Sequence, residues 1–184
     1  MYELFLRSLP LLKQAILMTL GLGLSAFVLG SLIGMGIALM RNSMLRMLRI
    51  LAFTYVSIFR GTPLLVQILL VYFGLPRIGI TLDPVPAALT SLTLFSASYL
   101  SENFRSGINS VDRGQWEACN SMGMGYWTSL RRIIRPQAFR IALPPLGSRL
   151  IALMKDTSLA STVTVMELTR VAEQVGATTF RYME

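Results

Sequence analysis

The stretch AILMTLGLGLSAFVLGSLIGMGIALM, residues 15–40, carries no ionisable side chain over 26 positions. A helix rises about 1.5 Å per residue, so this run exceeds the roughly 30 Å hydrocarbon core of a bilayer. The whole 184-residue chain has the same character, with 53% hydrophobic residues, 14% charged residues and a mean hydropathy of +0.59. Soluble domains carry roughly 25% charged residues. The reading is an all-α integral membrane protein, one domain over residues 1–184. Arg7 and Lys13, ahead of the run, give it a faint likeness to a secretory signal. A signal's apolar region spans only about 7–15 residues before a cleavage site of small residues. This run is longer and has no such site, so it reads as a retained first span.

Inside the run, Ala26, Gly30, Gly34 and Ala38 recur every fourth residue. That spacing keeps them on one helix face, where small side chains let another helix approach closely.

Working outward, Arg41, Arg46 and Arg49 form a basic loop, and a second span covers about 50–74. FRGTP, residues 59–63, interrupts it. Pro63 has no N–H, and its ring clashes with the carbonyl four residues earlier, so a kink or break is expected near Phe59 to Thr62. Gly74 to Pro86 is rich in turn residues and reads as a loop. A third span, about 85–104, contains Thr90, Ser91, Thr93, Ser96, Ser98, Tyr99 and Ser101 and ends at Glu102. Such polarity suits helix contacts or a watery cavity. A long polar connection covers about 105–140, and a fourth span, about 141–166, is broken by Arg149 and Lys155–Asp156.

The formal charge is +8. The arginines gather at the ends of apolar runs, as membrane topology requires, rather than in a nucleic-acid-binding surface. Ten Lys and Arg residues fall on the side of loops 41–49 and 105–149, against five (Arg7, Lys13, Arg77, Arg170, Arg181) on the other. The richer side is expected to be cytoplasmic, with the N-terminus outside. With no His and one cysteine, Cys119, a His/Cys zinc site or a disulfide framework is not expected, and no GxxxxGK[ST] phosphate loop occurs.

The polar connection holds EACNSMGMGYWTSLRRIIRP, residues 117–136. Ser110 or Asp112 can cap a short helix over Gln115 to Met122, and Gly123 stands where a left-handed helix stop is cheap. Tyr126 to Ile134 reads as a second short helix, ended by Pro136. Each is too short to cross a membrane, so the pair is expected to lie along its surface.

The spacing of Glu117-Ala118, Gly123, Ile133 and Pro136 resembles the EAA loop of bacterial ABC-importer permeases. Cys119 stands where that pattern usually has Ala, and Arg135 where it usually has Leu. FRGTPLLVQ (59–67), RSGINSVDRGQWEA (105–118) and KDTSLAS (155–161) resemble the polar-amino-acid subgroup, the cystine-type permeases most of all. The resemblance covers about residues 15–175 and implies a MetI-like permease bundle in the bacterial inner membrane. It implies that Glu117, Ala118 and Gly123 form a coupling helix gripped by a cytoplasmic ABC ATPase dimer, with Ile133 and Pro136 shaping the return to the next span. An extracytoplasmic amino-acid-binding protein and a second permease copy or paralogue are the other implied partners. The chain itself binds no cofactor on this reading; ATP and Mg belong to the ATPase. The resemblance also implies a fifth span after Glu167 to Glu184. The chain stops at FRYME, so a truncated copy or a fragment of a longer product is expected.

Charges inside spans are costly and usually line a path or pair together. Arg60 and Thr62 at the break, Glu102, and Lys155–Asp156 are the candidate substrate path, with both signs available to a zwitterionic amino acid. Each also has a structural alternative: Arg60 snorkelling to the interface, Glu102 bonding the elbow or Arg105, Lys155–Asp156 holding the irregular start of a span. Rival functions are a gradient-driven secondary transporter and a non-transporting membrane scaffold.

Overall fold

The computed structural model describes residues 2–179 and is all helical among them. Arg181 and the closing FRYME lie outside the described residues.

Helix α1, Tyr2–Arg41, contains the apolar run and, among the described residues, is the one helix long and apolar enough to cross a membrane unaided. The row of small residues is buried along α4, Pro84–Asn109. A Cβ added at Gly30 would stand 3.2 Å from the Ser96 Cβ, and one at Gly34 would stand 2.9 Å from the Ala97 carbonyl oxygen. Ala26 and Ala38 are fully buried. The expected seam is therefore between α1 and α4, which run side by side in the same direction.

Helix α2, Arg46–Gly61, ends where the sequence requires. Thr62 is extended, Pro63 opens α3 (Leu64–Leu69), and the two axes differ by 103°. The bent pair, Arg46–Gly61 with Leu64–Ile78, is together long and apolar enough for one broken span or a re-entrant loop. The ladder bond that Pro63 cannot donate is replaced by a side chain. The Gln67 amide donates to the Phe59 carbonyl at 3.0 Å, to the Thr62 carbonyl at 3.1 Å and to the Thr62 hydroxyl at 2.8 Å.

Ser91, Thr93, Ser96, Ser98 and Ser101 of α4 are buried, and three of the five are bonded within their own helix, while the Thr93 and Ser96 hydroxyls have no partner among the described residues. Ser91, Ser98 and Ser101 each donate to a carbonyl one turn back. Helix α4 also accepts the Tyr55 hydroxyl of α2 on the Leu94 carbonyl at 2.7 Å.

Helix α5, Arg113–Ser121, begins the connection; α6, Tyr126–Ser129, runs through a π turn (Leu130–Ile134) into α7, Arg135–Asp156. This corrects the expectation that Pro136 ends the second short helix. The Arg135 N–H bonds the Leu130 carbonyl five residues back, and Pro136 follows in the first turn of α7. The wider turn removes the crowding that a proline ring causes in a tight helix. The same device occurs at Leu70–Gly74, where the Leu75 N–H bonds Leu70 ahead of Pro76.

Helix α7 packs back along α4, with the site of a Gly107 Cβ 2.9 Å from the Ala138 carbonyl oxygen. A 3-10 turn, Thr157–Val163, and α8, Leu168–Thr179, follow. Glu167, fully buried, caps α8 by accepting the N–H groups of Thr169 at 2.9 Å and Arg170 at 2.7 Å.

Candidate functional site

The elbow is built by local signals. The Asp112 carboxylate accepts the Gly114 N–H at 2.7 Å and so caps α5; Ser110 instead donates back to the Ser106 carbonyl. At the other end, the Gly123 N–H bonds the Asn120 carbonyl at 2.9 Å and the Met124 N–H bonds the Cys119 carbonyl at 3.0 Å. This is a complete Schellman stop, with Gly123 left-handed at φ 70°. A Cβ at Gly123 would meet nothing within 4 Å. Within the chain glycine is required there by backbone conformation, not by packing.

One face of α5 is anchored. Cys119 is buried, and Trp116 packs with Val111, Leu130, Ile133, Ile134 and Ala138 in a small apolar cluster. Trp116 also stacks on Tyr126 at 5.5 Å between ring centroids. The opposite face carries Glu117 and Ala118, both exposed, and Glu117 has no ion pair among the described residues. Met122, Tyr126 and Trp127 are exposed beside them. Ile133 and Pro136 lie in the continuous run from the elbow into α7.

A second group gathers around Tyr99 on α4. The Arg60 guanidinium lies 5.0 Å from the Tyr99 ring centre, and that of Arg149 lies 4.6 Å from it. Arg149 also stacks on Phe95 and donates to the Asp156 carboxylate at 3.2 Å. Its Nε has no partner among the described residues, and Arg60 has no carboxylate there. Thus Asp156 and Lys155 do face apart: the carboxylate takes Arg149, while Lys155 is exposed and unpaired among the described residues.

One expectation changes. Arg149 belongs to this inner group rather than to a cytoplasmic loop, because α7 begins at Arg135 and carries Arg149 deep alongside α4. Glu102 forms ion pairs with Arg41 and with Arg105, the latter at 3.0 Å. Thr62 uses its hydroxyl on the bend, donating to the Ile58 carbonyl and accepting Gln67. Sequence reasoning passed over Gln67 and Tyr99 as site residues. A glutamine four residues after a proline break was the available signal for the first. Among the described residues no cluster of three His, Cys, Asp or Glu side chains could hold a metal.

Residues 26–182 match the family model described as binding-protein-dependent transport system inner membrane component. The chain belongs to this family. It is an inner-membrane permease of an ABC import system, whose ATPase is a separate subunit. This displaces both the gradient-driven and the scaffold readings. A probable amino-acid ABC transporter permease of Bacillus subtilis (strain 168), YckA, is 45% identical over 181 residues, 98% of this chain and 80% of that protein. The L-cystine transport system permease TcyB of the same organism is 44% identical over 168 residues, 91% of this chain and 72% of that one. In structure, the chain superposes on an amino acid ABC transporter crystallised with histidines, at TM-score 0.92 and 38% identity, covering 97% of this chain and 84% of the other. The inward-facing MetNI methionine transporter, at TM-score 0.81 and 19% identity over 96% of this chain and 85% of that one, shares the fold.

Proposed function

We propose that the chain is the permease subunit of an ATP-driven importer of polar amino acids. On this reading α1, the bent α2–α3 pair, α4 and α7 cross the membrane with the N-terminus outside. A second copy or paralogue completes the pathway, and ATP and Mg are used only by the partner ATPase dimer. Glu117, Ala118 and Gly123 form the surface that the ATPase grips, and Ile133 and Pro136 carry its motion into α7. Arg60, Thr62, Lys155 and Asp156, joined by Tyr99 and Arg149, face the amino acid in transit; Glu102 braces α1 against α4 beneath them.

The observation that carries the coupling role is the elbow. Helix α5 is capped at both ends and anchored on one face, yet its other face presents a carboxylate and a small side chain that are exposed and unpaired among the described residues. A short, rigid helix of this kind transmits a displacement, and a free carboxylate suits a basic cleft. The relatives' names support the amino-acid substrate, as does the Tyr99 group, where two guanidiniums and one carboxylate offer both signs to a zwitterion.

The test is co-expression with the ATPase encoded beside this chain. The two are expected to co-purify, and Glu117→Lys or Gly123→Asp is expected to lower the recovered ATPase at least about tenfold. Recovery at the parental level from both variants would overturn the coupling role.

A further inference from the structure

A groove of about 510 Å³ opens between α1, the end of α4, the elbow and the start of α7. Its walls include Met35 and Leu39 of α1 and Phe139 of α7, all exposed, and its rim carries Trp127, Arg131 and Arg135. Trp127 is 72% exposed and Phe139 55%. The walls are apolar on the scale of a hydrocarbon chain, while the rim is cationic. Neither arginine joins an ion pair among the described residues, and no Asp or Glu occurs in the sequence between Glu117 and Asp156. Among the described residues the chain therefore brings two guanidiniums to the mouth of an apolar slot and pairs neither with a carboxylate.

From this juxtaposition we propose that the groove is a binding site for an anionic phospholipid of the inner leaflet. One acyl chain lies along Met35, Leu39 and Phe139, and the phosphodiester sits between Arg131 and Arg135. Guanidinium recognises phosphate through paired N–H donors, and basic pockets between membrane helices on the cytoplasmic side suit such headgroups. Trp127, with an apolar body and a polar N–H, belongs at the level where acyl chain meets headgroup. Charge decides among occupants. A zwitterionic lipid brings its own cation toward the arginines. A second copy of this chain, with 17 basic and nine acidic residues, meets them mainly with like charge. The site depends on the membrane orientation above but not on the identity of the transported solute.

Trp127 reports its own occupant. The chain has two tryptophans, so Trp116→Phe leaves Trp127 as the sole emitter. This full-length variant is reconstituted in phosphatidylcholine vesicles containing equal mole fractions of either brominated phosphatidylglycerol or brominated phosphatidylcholine. Brominated phosphatidylglycerol is expected to quench Trp127 with an apparent preference of about fivefold or more, as expected for one to two arginines acting on an anionic headgroup. Arg131→Gln with Arg135→Gln is expected to bring the preference close to one. Arg132→Gln with Arg140→Gln removes the same charge away from the groove and is expected to retain it. Equal quenching by the two lipids, or equal loss in both double variants, overturns the site. Failure of either lipid to quench also overturns it, because a protein segment or second copy then fills the groove.

Discussion

Gly34 and Gly123 are the same residue type, yet they are required for opposite reasons. Gly34 lies in a seam where the Ala97 oxygen and the Ser101 nitrogen stand 2.9 and 3.0 Å from any added Cβ. Gly123 has open space around it and a left-handed backbone at φ 70°. The first glycine is explained by its neighbours within the chain. The second is explained locally as a helix stop, but the exposed face that it terminates has no counterpart among the described residues. The difference separates residues that hold the permease together from residues offered to another protein.

That contrast is open to experiment, and the largest effect is expected at the seam. Gly34→Leu forces side-chain atoms into the backbone of α4, which cannot yield as a flexible side chain does. A loss of about 3 kcal/mol is expected, read as a lower unfolding midpoint in detergent. Gly30→Ala, whose nearest contacts are at 3.2 and 3.3 Å, is expected to cost less than Gly34→Ala. Equal costs would mean that α1 and α4 are not packed this closely.

A smaller effect is expected at the bend. Gln67→Leu leaves the Phe59 and Thr62 carbonyls without the amide that replaces the missing proline donor. A cost of only about 1 kcal/mol is expected from these half-buried carbonyls, on the same unfolding assay, because the substitution also removes the buried Gln67 Oε1, which has no partner among the described residues. A neutral result would show that solvent or lipid headgroups already reach those carbonyls.

Effects on stability no larger than this are expected at the elbow. Gly123→Ala should cost about 1 kcal/mol for a left-handed alanine, with Gly123→Asn recovering much of it because asparagine tolerates that conformation. Glu117→Ala should change the unfolding midpoint by less than about 0.5 kcal/mol, as exposed substitutions do, while lowering ATPase recovery. A large stability loss in Glu117→Ala would erase the distinction between seam and elbow.

Much of this was legible in the residue order because the causes are local. Four-residue spacing placed the small residues on one face, Pro63 marked the break, and Asp112 and Gly123 marked the two ends of α5. Pro136 misled, since proline usually punctuates a helix; the π turn that accommodates it is a property of the backbone ladder. Arg149 misled for another reason. Counted by sequence it extends a basic loop, but α7 starts early enough to carry it to Phe95 and Tyr99.

By itself, the sequence determined that the chain enters the membrane, that it breaks at Pro63, and that one short helix, capped by Asp112 and stopped at Gly123, keeps a polar face. These follow from transfer free energy, missing donors and allowed dihedral angles, which act over a few residues. Only the tertiary structure decided which charges meet. Arg149 finds Asp156 and the rings of Phe95 and Tyr99, Arg60 reaches Tyr99, and Glu102 is taken by Arg41 and Arg105. Most of these partners lie far apart in sequence, and it is the packing of α1, α2 and α7 on α4 that brings them within reach.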